Sequence, residues 1–334
     1  MEETSLQQLC RMNIPSQFIK ERAARNERNA YLNYSACSSA FGLTDRRNSQ
    51  EMDAGTVNQI ISDIEDKILN NVNLGFDPDV LAVLSDPDAD ESEIELLKSK
   101  VGDEILGRLF SIANSAYYGH LKRGTVDTFY KVVSRLGMDF ARVLIIFLSF
   151  AALSKDKEVR IICAKSFATS VIGGRMLAKE FGLRDDDARK VEIGGLLLEI
   201  GKIIIALYRS LYKDEYEQAQ IGEDFISQYQ SQLGMKFMEK FGLPEFLKDV
   251  ISMTCLTLET ELISLSGVVI VAYSIVDLSF RRFDNKLVLL SPMPDSEGTI
   301  VHTMGATIEE IFKAVGLGGY IEIKRPPAPK QKLS

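Results

Sequence analysis

From about residue 51 onward, aliphatic side chains recur every three or four positions, the period of amphipathic helices. Ile60, Ile64 and Ile68 stand four apart after a polar start. Leu96, Val101, Ile105, Leu109 and Ile112 carry the pattern through "EIELLKSKVGDEILGRLFSIANS". The stretches "VVSRLGMDFARVLIIFLSFAAL", "AKSFATSVIGGRMLAKEF" and "GMKFMEKFGLPEFLKDVISM" predict further helices. Glycines punctuate them at Gly119, Gly137, Gly182, Gly201 and Gly242, where helix ends or tight junctions are expected. Strand-like alternation is confined to two short candidates, "KLVLLSP" and "YIEIK". "SPMPDSEGT" reads as a surface loop, and "ATIEEIFKAVGL" as one more helix with Ile308, Ile311, Phe312 and Val315 on one face. The pattern predicts an all-α protein.

The two ends break the pattern. Residues 1–50 mix charge, Asn and Ser with few large aliphatics and can bury little by themselves. They read as an N-terminal extension, partly ordered, whose order depends on the main body or a partner. The end, "KRPPAPKQKLS", is a polar, proline-broken tail. Both ends are candidate partner contacts, the tail through Lys324, Arg325, Lys330 and Lys332.

Composition narrows the class of function. The chain has 334 residues, 46% hydrophobic and 26% charged, which suits a globular protein with a sizeable core. Its net charge of −8 points away from nucleic acid, whose binding rests on concentrated Lys and Arg. Cys10, Cys37, Cys163 and Cys255 are scattered without zinc-type spacing and read as reduced thiols. No charged-then-apolar leader opens the chain, and "VLIIFLSFAAL" and "GVVIVAYSIV" fall short of the roughly 20 residues of a membrane span. A cytoplasmic protein without a membrane partner is expected.

Candidate chemistry is sparse. The chain has two histidines, His120 and His302, in unrelated contexts. That count excludes a His-rich metal centre or a relay of several imidazoles. Neither histidine is accompanied by a GxSxG elbow, and no phosphate-cradling glycine motif follows a strand. Neither a catalytic set nor a cofactor motif is visible.

One group of motifs, taken together, resembles a known family. "ILGRLFSIANSAYYG" closes an apolar helix on Asn114-Ser115-Ala116, and "VDTFYKVVSRLGMDFARVLII" follows with Leu136-Gly137. "GGLLLEIGKIII" and "LGMKFMEKFGLPEFLKDVI" come later, in an order and spacing that agree across roughly residues 65–280. This succession is similar to the HDOD domain, the HD-related output domain of bacterial signalling proteins. The resemblance implies a multi-helix fold, an N-terminal helical subdomain (51–155) packed on an HD-like helical subdomain (156–320), with residues 321–334 as a flexible tail. Asn114 and Ser115 belong to the family motif and read as side chains that bond nearby backbone groups.

The resemblance also marks the positions where HD-type phosphohydrolases hold divalent metals. The first His falls on Lys165, the central His-Asp pair on Leu198 and Glu199, and a later His on or near Gln230. A His pair corresponds to Thr254 and Cys255, and the last Asp to Tyr273, with Asp277 one helical turn on. Of these, Glu199 and Cys255 could bind a metal, which falls short of the three protein ligands of a usual catalytic site. A Lys165–Glu199 pair could take the place of the metal's charge. For "GGLLLEIGK" the plainer reading is a buried helix with no site at all. The expectation is a non-catalytic signalling or scaffold protein that works through protein partners or a small-molecule ligand, with no metal and no cofactor. The alternative is a divergent metal-dependent phosphohydrolase acting on a nucleotide or cyclic dinucleotide.

Overall fold

An aspartate closes the start of the first described helix. Asp53 accepts from the backbone N–H of Thr56 at 3.0 Å, satisfying one of the groups that a helix start leaves open. Helix α1 then runs Ala54–Ile64 and buries Val57, Ile60, Ile61 and Ile64. It passes directly into a π-helical stretch, Glu65–Asn70, that buries Ile68 and Leu69. The four-residue isoleucine spacing is a buried stripe, as the pattern predicts.

The computed structural model describes residues 53–115, 118, 124–178, 181–252, 264–283, 286–289 and 309–323. Residues 1–50, the tail beyond 323, both histidines, Thr254 and Cys255 lie outside the described residues. After α1 come α2 (Asp79–Val83), α3 (Glu91–Leu96), α4 (Asp103–Ala113), α5 (Phe129–Leu136), α6 (Met138–Ala152) and α7 (Lys157–Val171). They are followed by α8 (Asp185–Leu197), α9 (Ile200–Leu211), α10 (Lys213–Gln218), α11 (Glu223–Lys240), α12 (Phe246–Ser252) and α13 (Leu265–Ser279). Helices carry the fold.

Local sequence explains where several of these begin. Asp90 and Glu93 form a reciprocal capping box at α3, and Thr128 caps α5 by accepting from Lys131 N–H at 3.2 Å. Gly137, at φ +85°, separates α5 from α6 in a backbone state that other residues rarely adopt. Helix α6 is buried on every side from Phe140 to Ala151, which accounts for its unbroken apolar run. Leu96 departs from the predicted apolar face and is 70% exposed at the end of α3.

Both strand candidates are realised in a small sheet, together with a strand that alternation does not announce. Strands β1 (Phe280–Phe283), β2 (Lys286–Leu289) and β3 (Ile321–Ile323) lie in the order β1-β2-β3. β1 and β2 pair antiparallel, with Phe280 opposite Leu289; β2 and β3 pair parallel, with Leu287 opposite Ile321. In the helical turns before β3, Ile311, Phe312 and Val315 are buried. Among the described residues, no helix is long and apolar enough to cross a membrane.

The chain divides into two units, each made of separate stretches. The first comprises residues 1–73 and 173–274, the second residues 74–172 and 275–334. Within the first, α9 packs on α11, α1 and the π-helical stretch, while α12 packs on α8 and α11. Polar ties add to the apolar contacts of α1 and the π-helical stretch. The Tyr208 hydroxyl donates to Asp63, and the Lys67 ammonium pairs with Asp63 at 3.0 Å and Glu215 at 3.3 Å. That ammonium also lies 4.9 Å from the centre of the Tyr212 ring, within cation–π range. Within the second unit, α3, α4 and α6 pack on α5, and α7 reaches β2.

Candidate functional site

The stretch "GGLLLEIGK" spans the junction of α8 and α9, and two of its glycines, Gly194 and Gly201, are contact points. A Cβ on Gly194 would come within 2.9 Å of Val269 and 3.3 Å of Val250. A Cβ on Gly201 would stand 1.8 Å from the carbonyl oxygen of Gln230. Only glycine lets α9 meet α11 backbone to backbone at that point. Leu196, Leu197 and Leu198 are all buried between these contacts, and Leu198 brings no polar atom to its position.

Glu199 is the residue of this stretch that carries charge into the interior. It precedes the first residue of α9, and its side chain is 5% exposed. One carboxylate oxygen, Oε1, accepts from two donors: the Lys202 ammonium at 2.7 Å and the Tyr273 hydroxyl at 2.8 Å. Bonds of this kind to an ionised acceptor are about twice as strong as neutral ones. Sequence reading offered Lys165 as the partner of Glu199 and passed over Lys202, which the three-residue spacing on one helix face could have found. The Tyr273 partner has no such signal, since it lies 74 residues away. Gln230, on α11, is 7% exposed, and its side-chain oxygen is enclosed without a hydrogen bond.

Lys165 belongs to the second unit, on α7. There its ammonium donates to Asp277 Oδ1 at 2.8 Å, with side-chain exposures of 18% and 32%. Within that unit Asp277, one turn beyond Tyr273 on α13, supplies the carboxylate that answers Lys165. Within the first unit Glu199 is bonded to Tyr273, and within the second Lys165 is bonded to Asp277. Among the described residues, no three His, Cys, Asp or Glu side chains stand together as a metal would require.

Asn114 and Ser115 fasten the end of α4. The Asn114 amide donates to Val126 O at 3.0 Å and accepts from Val126 N–H at 2.9 Å, as a neighbouring strand would. Ser115 Oγ donates to Ile112 O at 2.7 Å. Arg135, buried on α5, adds bonds to Ala113 O at 3.1 Å and Gly124 O at 2.8 Å. Both side chains bond backbone groups, and sequence reading missed the reinforcing arginine.

The model of the HDOD domain matches residues 78–254. A solved HDOD-domain protein of unknown function from Geobacter sulfurreducens is 18% identical, with 80% of this chain and 89% of that one covered and a TM-score of 0.45. A provisionally assigned phosphohydrolase from Shewanella amazonensis SB2B is also 18% identical, with 81% and 93% covered and a TM-score of 0.46. No curated protein matches the chain.

Proposed function

The chain belongs to the HDOD family, and from that premise we propose that it is a non-catalytic signalling or scaffold protein of the bacterial cytoplasm. It acts by contact with a protein partner or a small ligand rather than by turnover. The observation that carries this reading is the state of Glu199. Oε1 of its carboxylate accepts from an ammonium and a phenol, and Lys202 sets a positive charge beside it. Leu198 offers no donor beside it, and Gln230 offers a neutral amide. At Lys165 the ammonium puts a positive charge where the resemblance places a metal ligand, and it engages Asp277. These residues do not fit a divalent metal, which takes three protein ligands in a usual catalytic site.

What the geometry retains is the packing of that helical frame. Gly194, Gly201 and the three leucines keep α8, α9, α11 and α12 in contact.

The test is to load the purified protein with manganese and zinc, measure bound metal, and assay generic phosphodiesters. The expected result is substoichiometric metal and no turnover. One metal per chain, with turnover abolished by Glu199→Gln, would replace this reading with that of a divergent phosphohydrolase.

A further inference from the structure

The first unit holds a cavity of about 570 Å³, and Glu199 is not among the residues that line it. It lies between the first turns of α1 and the turn that follows α10. Asp53, Thr56, Gln59 and Ile60 line it from one side, Gln218 and Gln220 from the other. Its volume falls within the range of about 300–1,000 Å³ typical of small-molecule sites.

The lining carries one charge, and that charge is engaged. Asp53 Oδ1 accepts from the Thr56 N–H at 3.0 Å, and Oδ2 accepts from the Thr56 hydroxyl at 2.5 Å. Both oxygens thus serve the start of α1. No Lys, Arg or His among the described residues lines the cavity, so an anion finds no counter-charge there. Ile60, 7% exposed, gives the cavity an apolar base.

The uncommitted groups are carboxamides. The side chains of Gln59, Gln218 and Gln220 are exposed and make no hydrogen bond among the described residues. Each sets N–H donors beside a carbonyl acceptor. Gln220 also sits at φ +50°, and among the described residues it alone, glycines apart, has a positive φ. Glycine adopts that backbone state without strain, whereas a glutamine there is strained, and such strain gathers at ligand sites.

An apolar base, no counter-charge for an anion and free amide edges suit one class of ligand. We infer that this cavity binds a neutral, planar molecule with a carboxamide-type edge, an N–H beside a C=O. A glutamine amide meets such an edge with two reciprocal hydrogen bonds. The inference stands whether or not the non-catalytic reading of the Glu199 site does.

Ligand-observed NMR on the full chain, with nicotinamide and uracil as probes, tests it. At least one probe should bind saturably, in the millimolar range that fragments of this size reach. Nicotinate exchanges the amide for a carboxylate, and 1,3-dimethyluracil loses the N–H groups. Each should bind several-fold more weakly than its parent compound. Gln59→Ala and Gln220→Gly should weaken binding by about threefold to tenfold, the worth of a neutral hydrogen bond. Both side chains are exposed, and glycine suits the backbone at 220, so loss of the fold does not confuse the result. No saturation by either probe overturns the inference. So does equal binding of the altered compounds, or full affinity in both variants.

Discussion

The carbonyl oxygen of Gln230 occupies the space that a side chain on Gly201 would need, 1.8 Å from where its Cβ would stand. The two helices they belong to, α9 and α11, are therefore held at a separation that only glycine permits. Gly201→Ala must push backbone against backbone, a worse case than ordinary overpacking, and should cost about 3 kcal/mol. For a unit of this size that is a fall of about 10 °C in Tm. Gly107, in the middle of α4, is the control, since a Cβ there meets nothing within 4 Å. Gly107→Ala should stabilise by about 0.5–1 kcal/mol through helix propensity alone. Thermal unfolding of the two variants should move in opposite directions, and equal shifts would refute the close approach.

At Glu199, two donors share one oxygen, and their loss should not be additive. Tyr273→Phe keeps the ring and removes a bond to a buried carboxylate, at a cost of about 1.5–3 kcal/mol. In a Glu199→Gln background the same change removes only a neutral bond and should cost about 1 kcal/mol. Urea unfolding of the four proteins in this cycle measures the difference. A Tyr273→Phe cost that is unchanged by Glu199→Gln would mean that the carboxylate is not what the phenol serves.

The helices and their buried faces were legible because their signal is local. Ile60, Ile64 and Ile68 declare a face by spacing, and all three are buried. Gly137, Gly182 and Gly242 mark junctions, and all three have positive φ. The polar partners of the site were legible only in part. Lys202 stands three residues from Glu199, whereas Tyr273 lies 74 away and Asp277 lies 112 from Lys165. No periodicity links residues so far apart; the family resemblance marked most of their positions and the structure supplied the bonds. Strand β1, "FRRF", has no alternation to announce it, because its state is set by pairing with β2.

Asn114 imitates a strand by giving Val126 both a donor and an acceptor. Asn114→Ala removes both bonds, and Asn114→Asp removes the donor while setting a carboxylate against the Val126 carbonyl. The aspartate should therefore be at least as damaging as the alanine, with each costing about 1–2 kcal/mol at this half-open position. Equilibrium unfolding compares them directly. An aspartate variant as stable as the parent would show that the amide's donor bond contributes nothing.

The tie between the π-helical stretch and α9 makes the first unit sensitive to alkali. Burial, then the bond to Asp63 and the nearby charges, lifts the Tyr208 pKa well above its ordinary value of 10.0. For Lys67 burial works the other way, but the bonds to Asp63 and Glu215 outweigh it and leave the pKa above the ordinary 10.5. Both groups hold their protons more tightly folded than unfolded. Their contribution is thus fully present below the unfolded pKa values and is lost as pH rises through the folded ones. Unfolding free energy should be insensitive to these groups at neutral pH and should decline from about pH 10 upward. Deprotonation there would set a phenolate against the Asp63 carboxylate. Tyr208→Phe isolates the tyrosine's share: it should be less stable than the parent at about pH 8, where the bond to Asp63 is missed, yet lose less between about pH 10 and 11. Urea unfolding of both proteins at those pH values is the measurement. An alkaline decline as steep in the phenylalanine variant as in the parent would remove Tyr208 from the explanation.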